Sequence, residues 1–267
     1  MKHLRIGIAG YGAIGRDLAA ALDQNQDGLQ LSAIAVRNPQ QPPDISHLRS
    51  TPTITDIAGL EALCDLVIEC APASQLSTIA KPFLKAGKQV LTLSSGALLN
   101  HPELIELARE HGGTILIPTG ALLGLDAVSA AAQGQVNEVR MITRKPPAGL
   151  LGAPYLEQHN IDVLGLQEPT KIFDGTAREA AAGFPANLNV AVSLSLAGIG
   201  PDKTRLEIWA DPTVTRNIHR IQVDSDAAVL NMEIQNIPSS NPRTGRITAQ
   251  SVIALLRKIN APLRVGT

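Results

Sequence analysis

Three glycines stand in the run Gly10-Tyr11-Gly12-Ala13-Ile14-Gly15, between an apolar segment, Leu4 to Ala9, and a segment where Ile14, Leu18, Ala21 and Leu22 recur at helical spacing. Alone, a G-x-G-x-x-G pattern carries little information. A strand before it and a helix after it make it a phosphate-binding loop. Gly10 permits the tight turn, Gly12 lets the backbone approach a pyrophosphate, and Gly15 lets helix and strand pack closely. Ala13 and Ile14 open the helix, whose exposed N–H groups attract the anion. The expected ligand is a dinucleotide, NAD or NADP. About 20 positions onward, NAD-specific sites place an acidic residue against the ribose hydroxyls. Here the chain reads Val36-Arg37-Asn38. A carboxylate would repel the extra phosphate of NADP, whereas Arg37 can pair with it through charge-assisted hydrogen bonds, so NADP is expected to be accepted.

The elements that must position this loop follow from the apolar pattern. Leu4 to Ala9, Leu31 to Val36, Leu66 to Ile68, Val90 to Leu93 and Thr114 to Ile117 read as strands alternating with helical segments, which predicts a parallel, doubly wound α/β sheet. After Pro118 the pattern changes, and Gly120 to Ala127 opens a helix expected to run through Ala132. Val136 to Thr143, Thr204 to Ala210, His219 to Val223 and Ala228 to Gln235 then read as strands of a mostly antiparallel sheet, with Ala186 to Leu196 as a buried helix. Thr244 to Ile259 reads as a closing helix that packs back on the first domain. The expected division is 1–119 for a Rossmann domain, 120–243 for an α+β catalytic domain, and 244–267 for the returning helix.

Composition narrows the function classes. With 267 residues, 44% hydrophobic and 2% aromatic, Ala, Leu, Ile and Val must fill the core, and platforms for stacking bases are scarce. A net charge of -1, from 23 basic and 24 acidic residues, supplies no global field for nucleic acid or an anionic membrane. Two cysteines, Cys64 and Cys70, and an N-terminus running straight into a strand point to a reducing cytoplasm. No stretch approaches the roughly 18 apolar residues of a membrane span. Neither CxxC nor HExxH occurs, so no metal site is expected. Cys70 has no basic neighbour to make a thiolate and reads as a small buried residue.

Three segments of the second half resemble the L-aspartate dehydrogenase family: Gly120-Ala121-Leu122-Leu123-Gly124-Leu125-Asp126-Ala127, Phe184-Pro185-Ala186-Asn187-Leu188-Asn189-Val190-Ala191, and Ala210-Asp211-Pro212 followed by Asn217-Ile218-His219. Arg144-Lys145-Pro146-Pro147 and Asn236-Ile237-Pro238 support the match. The resemblance implies oxidation of L-aspartate to iminoaspartate with NAD or NADP. The imine would feed quinolinate and NAD synthesis or hydrolyse to oxaloacetate and ammonia. The resemblance also implies that His219 is the active-site histidine and that Ala121 and Asn189 contact the cofactor, with Asn187 as the alternative two residues earlier.

Chemistry points to the same histidine. The substrate ammonium must lose a proton before hydride leaves Cα, and a group titrating near neutrality serves best. His3 precedes the first strand, and His47, His101, His111 and His159 lie in polar or loop-like stretches, whereas His219 adjoins a buried strand. Taken without the resemblance, it could equally be a strand-edge histidine satisfied by a backbone carbonyl. Two substrate carboxylates call for cations, and Arg144, Lys145, Lys203 and Arg243 are the candidates. The exposed face of the second sheet suggests a homodimer. Rival readings are a homoserine dehydrogenase or dihydrodipicolinate reductase-like oxidoreductase, and a non-catalytic NAD(P) sensor.

Overall fold

A computed structural model describes residues 3–24, 27–185, 188–238 and 245–267. Its contacts divide the chain into one unit of Met1–Pro118 with Ala249–Val265 and another of Thr119–Thr248 with Gly266–Thr267.

In the first unit, β1 (Leu4–Ala9), β2 (Leu29–Ala35), β3 (Thr53–Thr55), β4 (Leu66–Glu69), β5 (Gln89–Thr92) and β6 (Thr114–Leu116) form one sheet in the order β3-β2-β1-β4-β5-β6. Every pairing is parallel. Covered on both faces, such strands read as continuous apolar runs, and all four residues of β4 are buried. The strand order reverses between β1 and β4, so the crevice beyond their carboxyl ends is where a ligand is expected. The helix Ala13–Leu22 packs Leu18, Ala19 and Leu22 inward. From the far end of the chain, the helix Ile247–Asn260 adds Val252 and Leu256 to the cluster containing Ile6, Ile8 and Leu18. Arg257 Nε lies 3.2 Å from Asp27 Oδ2, and Asn260 Nδ2 donates to the Asp27 carbonyl at 2.5 Å. The edge strand β3 escapes the sequence reading because three residues, Thr-Ile-Thr, carry too short a pattern.

The second unit holds β7 (Val136–Lys145), β8 (Thr170–Thr176), β9 (Arg205–Ala210), β10 (Asn217–Ser225) and β11 (Val229–Asn236), in the order β11-β10-β7-β9-β8. This sheet is mixed, since β7 and β9 run parallel while the other pairs are antiparallel. Parallel neighbours need a long crossover, and the chain between β7 and β9 supplies one that contains β8 and, among the described residues, the helices Pro154–Gln158, Ala177–Gly183 and Asn189–Ala197. Along β10, buried His219, Ile221, Val223 and Ser225 alternate with exposed Arg220, Gln222 and Asp224, so one face meets the core and the other meets solvent. The helix Asn189–Ala197 is buried from Ala191 through Ser195, as befits a core helix apolar all round. The scarce aromatics concentrate here. Tyr155, Phe173 and Phe184 pack with ring centroids 5.2–5.7 Å apart, Tyr155 stacked on Phe184 and both meeting Phe173 edge to face, each pair contributing about 0.5–1.5 kcal/mol beyond its buried area. Contrary to expectation, the helix after Pro118 begins at Leu125 rather than Gly120, because Gly120 and Gly124 weaken helical propensity in the intervening turn.

Candidate active site

The glycine loop joins β1 to the helix Ala13–Leu22 at the reversal of strand order. Gly10 has φ +103°, and a Cβ there would sit 2.7 Å from the Cys70 carbonyl oxygen. A Cβ at Gly15 would collide with the Gly10 carbonyl oxygen. Gly12 differs, because a Cβ there meets nothing within 4 Å. The chain's own packing therefore requires glycine at 10 and 15 but not at 12. Open space above Gly12, beside the N–H groups of Ala13 and Ile14, is what a pyrophosphate would fill. Residues of the cleft wall, of about 800 Å³, include Gly10, Gly12, Arg37, Asn38, Cys70 and Ser74. Arg37 is exposed on this wall and has no hydrogen-bond or ion-pair partner among the described residues. Burial pushes the Cys70 thiol above its ordinary range, which disfavours a nucleophilic thiolate.

Glu69 escapes the sequence reading as a site residue. Fully buried at the end of β4, it accepts hydrogen bonds from Thr92 Oγ1 at 3.0 Å, Leu93 N at 3.2 Å, Ser94 N at 3.0 Å and Ser94 Oγ at 3.1 Å. Burial raises its pKa against the pull of these bonds. The carboxyl thereby fixes the segment after β5 to the end of β4, beside the cleft wall at Cys70. A single acidic residue closing an apolar strand gives no sequence signal for that bond set.

In the second unit, antiparallel pairing sets His219 of β10 opposite Thr143 of β7. Both point to the core face. His219 is 2% exposed, and its Nδ1 lies 3.2 Å from Thr143 Oγ1. Lys145, two residues along the same face of β7, is 3% exposed. It stands diagonal to His219, a placement within reach of a long side chain. Burial lowers the Lys145 ammonium to about 8. Burial, reinforced by the charge of Lys145, lowers the His219 imidazole to about 3. Against the expectation of a histidine titrating near neutrality, the buried imidazole is held in its neutral form, and the Lys145 ammonium at about 8 lies closer to neutrality than it does.

Arg144 does not join this pair. One residue from Lys145, it projects from the opposite face, where its Nη1 meets Asp211 Oδ2 at 3.0 Å and its guanidinium lies 5.1 Å from the Trp209 ring centroid. Burial raises the Asp211 carboxyl, but hydrogen bonds from Thr213 and Arg144 outweigh it and hold the group below its ordinary range. Arg144 is therefore paired with Asp211 and does not share the face of Lys145 and His219. Lys203 is exposed, and Arg243 and Asn187 lie outside the described residues. Asn189 is the first residue of the helix Asn189–Ala197. The Ala121 carbonyl accepts a 2.9 Å hydrogen bond from Asn236 Nδ2, so the buried end of β11 pins the turn carrying Ala121. Thr143 and Asn236, which bond to the candidate residues His219 and Ala121, are not among the site candidates the sequence marks. Period-two reading of β7 from Lys145 would have found Thr143, whereas Asn236 is 115 positions from its partner and left no local signal.

Among the described residues no group of His, Cys, Asp and Glu is placed to hold a metal ion, and no helix is long and apolar enough to cross a membrane. Residues 10–118 match the family model of the homoserine dehydrogenase NAD-binding domain, and residues 126–259 match the C-terminal model of aspartate dehydrogenase. The first match, with the parallel sheet and open loop at Gly12, makes the first unit a Rossmann-type NAD(P)-binding domain. The chain is 58% identical over 267 residues to L-aspartate dehydrogenase of Bradyrhizobium diazoefficiens, covering 100% of this chain and 95% of that one. It is 56% identical over 268 residues to L-aspartate dehydrogenase 3 of Bordetella bronchiseptica, covering 100% and 98%. The fold matches that of aspartate dehydrogenase from Thermotoga maritima with a TM-score of 0.74, at 24% identity and covering 99% and 100%. With an NAD-binding first unit and a second unit that matches the aspartate dehydrogenase model across both strands of the His219–Lys145 pair, the chain belongs to the L-aspartate dehydrogenase family of NAD(P)-dependent oxidoreductases.

Proposed function

We propose that this enzyme oxidises L-aspartate to iminoaspartate, using NADP or NAD as the hydride acceptor. The observation that carries the reading is the buried pair of a neutral imidazole and an ammonium on one sheet face, within the segment that matches the aspartate dehydrogenase model. The first unit's match to a domain named for homoserine dehydrogenase concerns cofactor binding and does not select homoserine as substrate. Lys145 offers one carboxylate of aspartate a charge in a dry environment, where the interaction is strong. His219 Nδ1 and Thr143 Oγ1 share a 3.2 Å hydrogen bond, and in the tautomer whose Nδ1–H donates to Oγ1 the ring's Nε2 is the proton acceptor. The substrate ammonium gives one proton to Nε2. The Cα–H bond then breaks with its electron pair leaving as hydride, and the nitrogen lone pair closes the C=N bond. Bound NAD(P) supplies the two-electron acceptor. Ala121 and Asn189, or Asn187 as the alternative to Asn189, are proposed to orient the nicotinamide, and Arg37 the NADP phosphate. The product would hydrolyse to oxaloacetate and ammonia or enter quinolinate and pyridine nucleotide synthesis.

The test replaces the base. General acid/base groups typically contribute about 100- to 10,000-fold, so His219→Ala is expected to lower the turnover number by roughly that factor while NADP affinity, read by fluorescence, stays near that of the parent. A folded variant with near-parental turnover at every pH removes His219 from the mechanism. A cytoplasmic homodimer is also proposed, assembled through the outer face of the second sheet, where Trp209 is half-buried among Arg140, Arg144 and Glu207. Sedimentation of a single chain at micromolar concentration would refute the dimer.

A further inference from the structure

Glu69 closes β4, yet its carboxyl serves the chain that leaves β5. On the β4 side the ladder of β5 ends at the pair Glu69 and Thr92, and on the β6 side at Leu91 and Leu116. The N–H groups of Leu93 and Ser94 lie beyond both ladders, and Glu69 Oε2 accepts them at 3.2 and 3.0 Å. Thr92 Oγ1 donates to the same oxygen at 3.0 Å and shares the Ser94 N–H at 3.1 Å. Glu69 Oε1 accepts from Ser94 Oγ at 3.1 Å. One side chain of β4 thus fixes where the chain turns on leaving β5. The residue after it backs the glycine loop: Cys70 N donates to the Ala9 carbonyl at 2.8 Å, and the Cys70 carbonyl oxygen is the atom that a Cβ at Gly10 would meet at 2.7 Å. Cys70, Ala71, Pro72 and Ser74 then continue as cleft wall.

The sheet consists of two halves, β1-β2-β3 and β4-β5-β6, each running outward from the reversal of strand order. In this fold a dinucleotide lies across the reversal with one nucleotide over each half. In the first half the strand ends are joined through the backbone, Gly10 N donating to the Ala35 carbonyl at 3.0 Å. In the second half the ends of β4 and β5 are joined by the Glu69 carboxyl. With the NADP phosphate at Arg37, after β2, the nicotinamide nucleotide falls over the half that Glu69 ties together. We propose that Glu69 is a positioning residue for the nicotinamide half of the cofactor: its carboxyl holds the loops after β4 and β5 at one spacing, and that spacing sets where the nicotinamide nucleotide rests. This rests on the proposed place of the NADP phosphate at Arg37. The adenosine half, held by the glycine loop and Arg37, is indifferent to the tie.

The test uses the full-length enzyme and two ligands, NADP and adenosine 2′,5′-bisphosphate, which is the adenosine half of NADP alone, with dissociation constants measured by calorimetry. In Glu69→Leu the buried donors of Leu93 and Ser94 lose their acceptor, so NADP is expected to bind about tenfold or more weaker while the bisphosphate stays within about twofold of the parent. Glu69→Gln keeps an oxygen for those donors and an amide N–H for Ser94 Oγ, and is expected to bind NADP within about threefold of the parent. Equal weakening of both ligands in Glu69→Leu makes Glu69 a support of the whole domain and overturns the proposal. Weakening of neither ligand overturns it too, as does a Glu69→Gln variant that binds NADP as poorly as Glu69→Leu. Should Glu69→Leu fail to fold by circular dichroism, Thr92→Val removes one donor to the carboxyl with little change of shape, and the same split between ligands, about threefold, decides. Arg37→Ala, measured alongside, is expected to weaken both ligands. If it weakens neither, the place of the adenosine half is refuted and the proposal with it, whereas equal weakening in Glu69→Leu beside a responsive Arg37→Ala overturns the positioning role alone.

Discussion

Burial does opposite things to the usefulness of the two central residues. It lowers Lys145 from 10.5 to about 8 and His219 from 6.5 to about 3, because each charged form loses its hydration. The unfolded chain holds the Lys145 proton more tightly than the folded one. Burial of Lys145 therefore costs stability at every pH below about 8, and the cost fades as pH rises from about 8 to 10.5. Lys145→Met is expected to raise the stability of the second unit at pH 7 by on the order of 1–3 kcal/mol and to flatten this alkaline gain. Denaturant midpoints at pH 7 and pH 10 check it, and a loss of stability at pH 7 contradicts it. For His219 the sign is the same but the window differs: the neutral folded form is favoured above pH 6.5, and that stability is lost as pH falls toward about 3. Arg37 belongs to the same scale. Exposed and without a partner among the described residues, it is free to take a phosphate. Arg37→Ala is expected to raise KM for NADP by about tenfold while leaving KM for NAD near its parental value, since one charge-assisted pair is worth about 1.5–3 kcal/mol at most. An unchanged NADP-to-NAD ratio of KM values makes Arg37 a surface cation.

The strand-turn-helix element at the N-terminus separates two demands on glycine. Gly10 and Gly15 answer to the fold, through a positive φ and close backbone contacts, while Gly12 faces open space. Gly10→Ala and Gly15→Ala are expected to lower the thermal midpoint by several degrees. Gly12→Ala is expected to keep the parental midpoint and lose NAD(P) affinity about tenfold or more. Fluorescence titration and thermal melts distinguish them, and equal destabilisation at all three positions would remove the ligand-based reading of Gly12. This element was legible in the sequence because its signals are local: apolar run, glycine spacing and helical period all fall within about 20 residues. The second sheet was less legible. β8 has the mixed run Thr-Lys-Ile-Phe-Asp-Gly-Thr with a register shift between Lys171 and Phe173, so its alternation is broken. The parallel pairing of β7 with β9 depends on a crossover, which no local pattern encodes. At the site, strand period alone could have separated Arg144 from Lys145, whereas the depressed proton affinity of His219 depends on burial and on a neighbour 74 positions away in sequence.

At the scale of the molecule, the first unit carries the cleft at β1, β2 and β4, and the second carries the β7–β10 face on which the proposed proton transfer takes place. The chain returns at its C-terminus to the first unit, where Val252 and Leu256 complete the core beside β1. Neither unit by itself names the substrate. The first unit matches an NAD-binding model named for homoserine dehydrogenase, and the proposed selection of a short dicarboxylate rests on the second. The most direct measurement is the initial rate of NADPH or NADH formation, followed at 340 nm, roughly the absorbance maximum of reduced nicotinamide, with L-aspartate, L-glutamate or L-homoserine at matched concentrations. The account predicts turnover with L-aspartate, and kcat/KM values about 100-fold or more lower for the other two, because a longer chain or a missing carboxylate leaves the buried charges unmatched. A rate with L-homoserine equal to that with L-aspartate would contradict it.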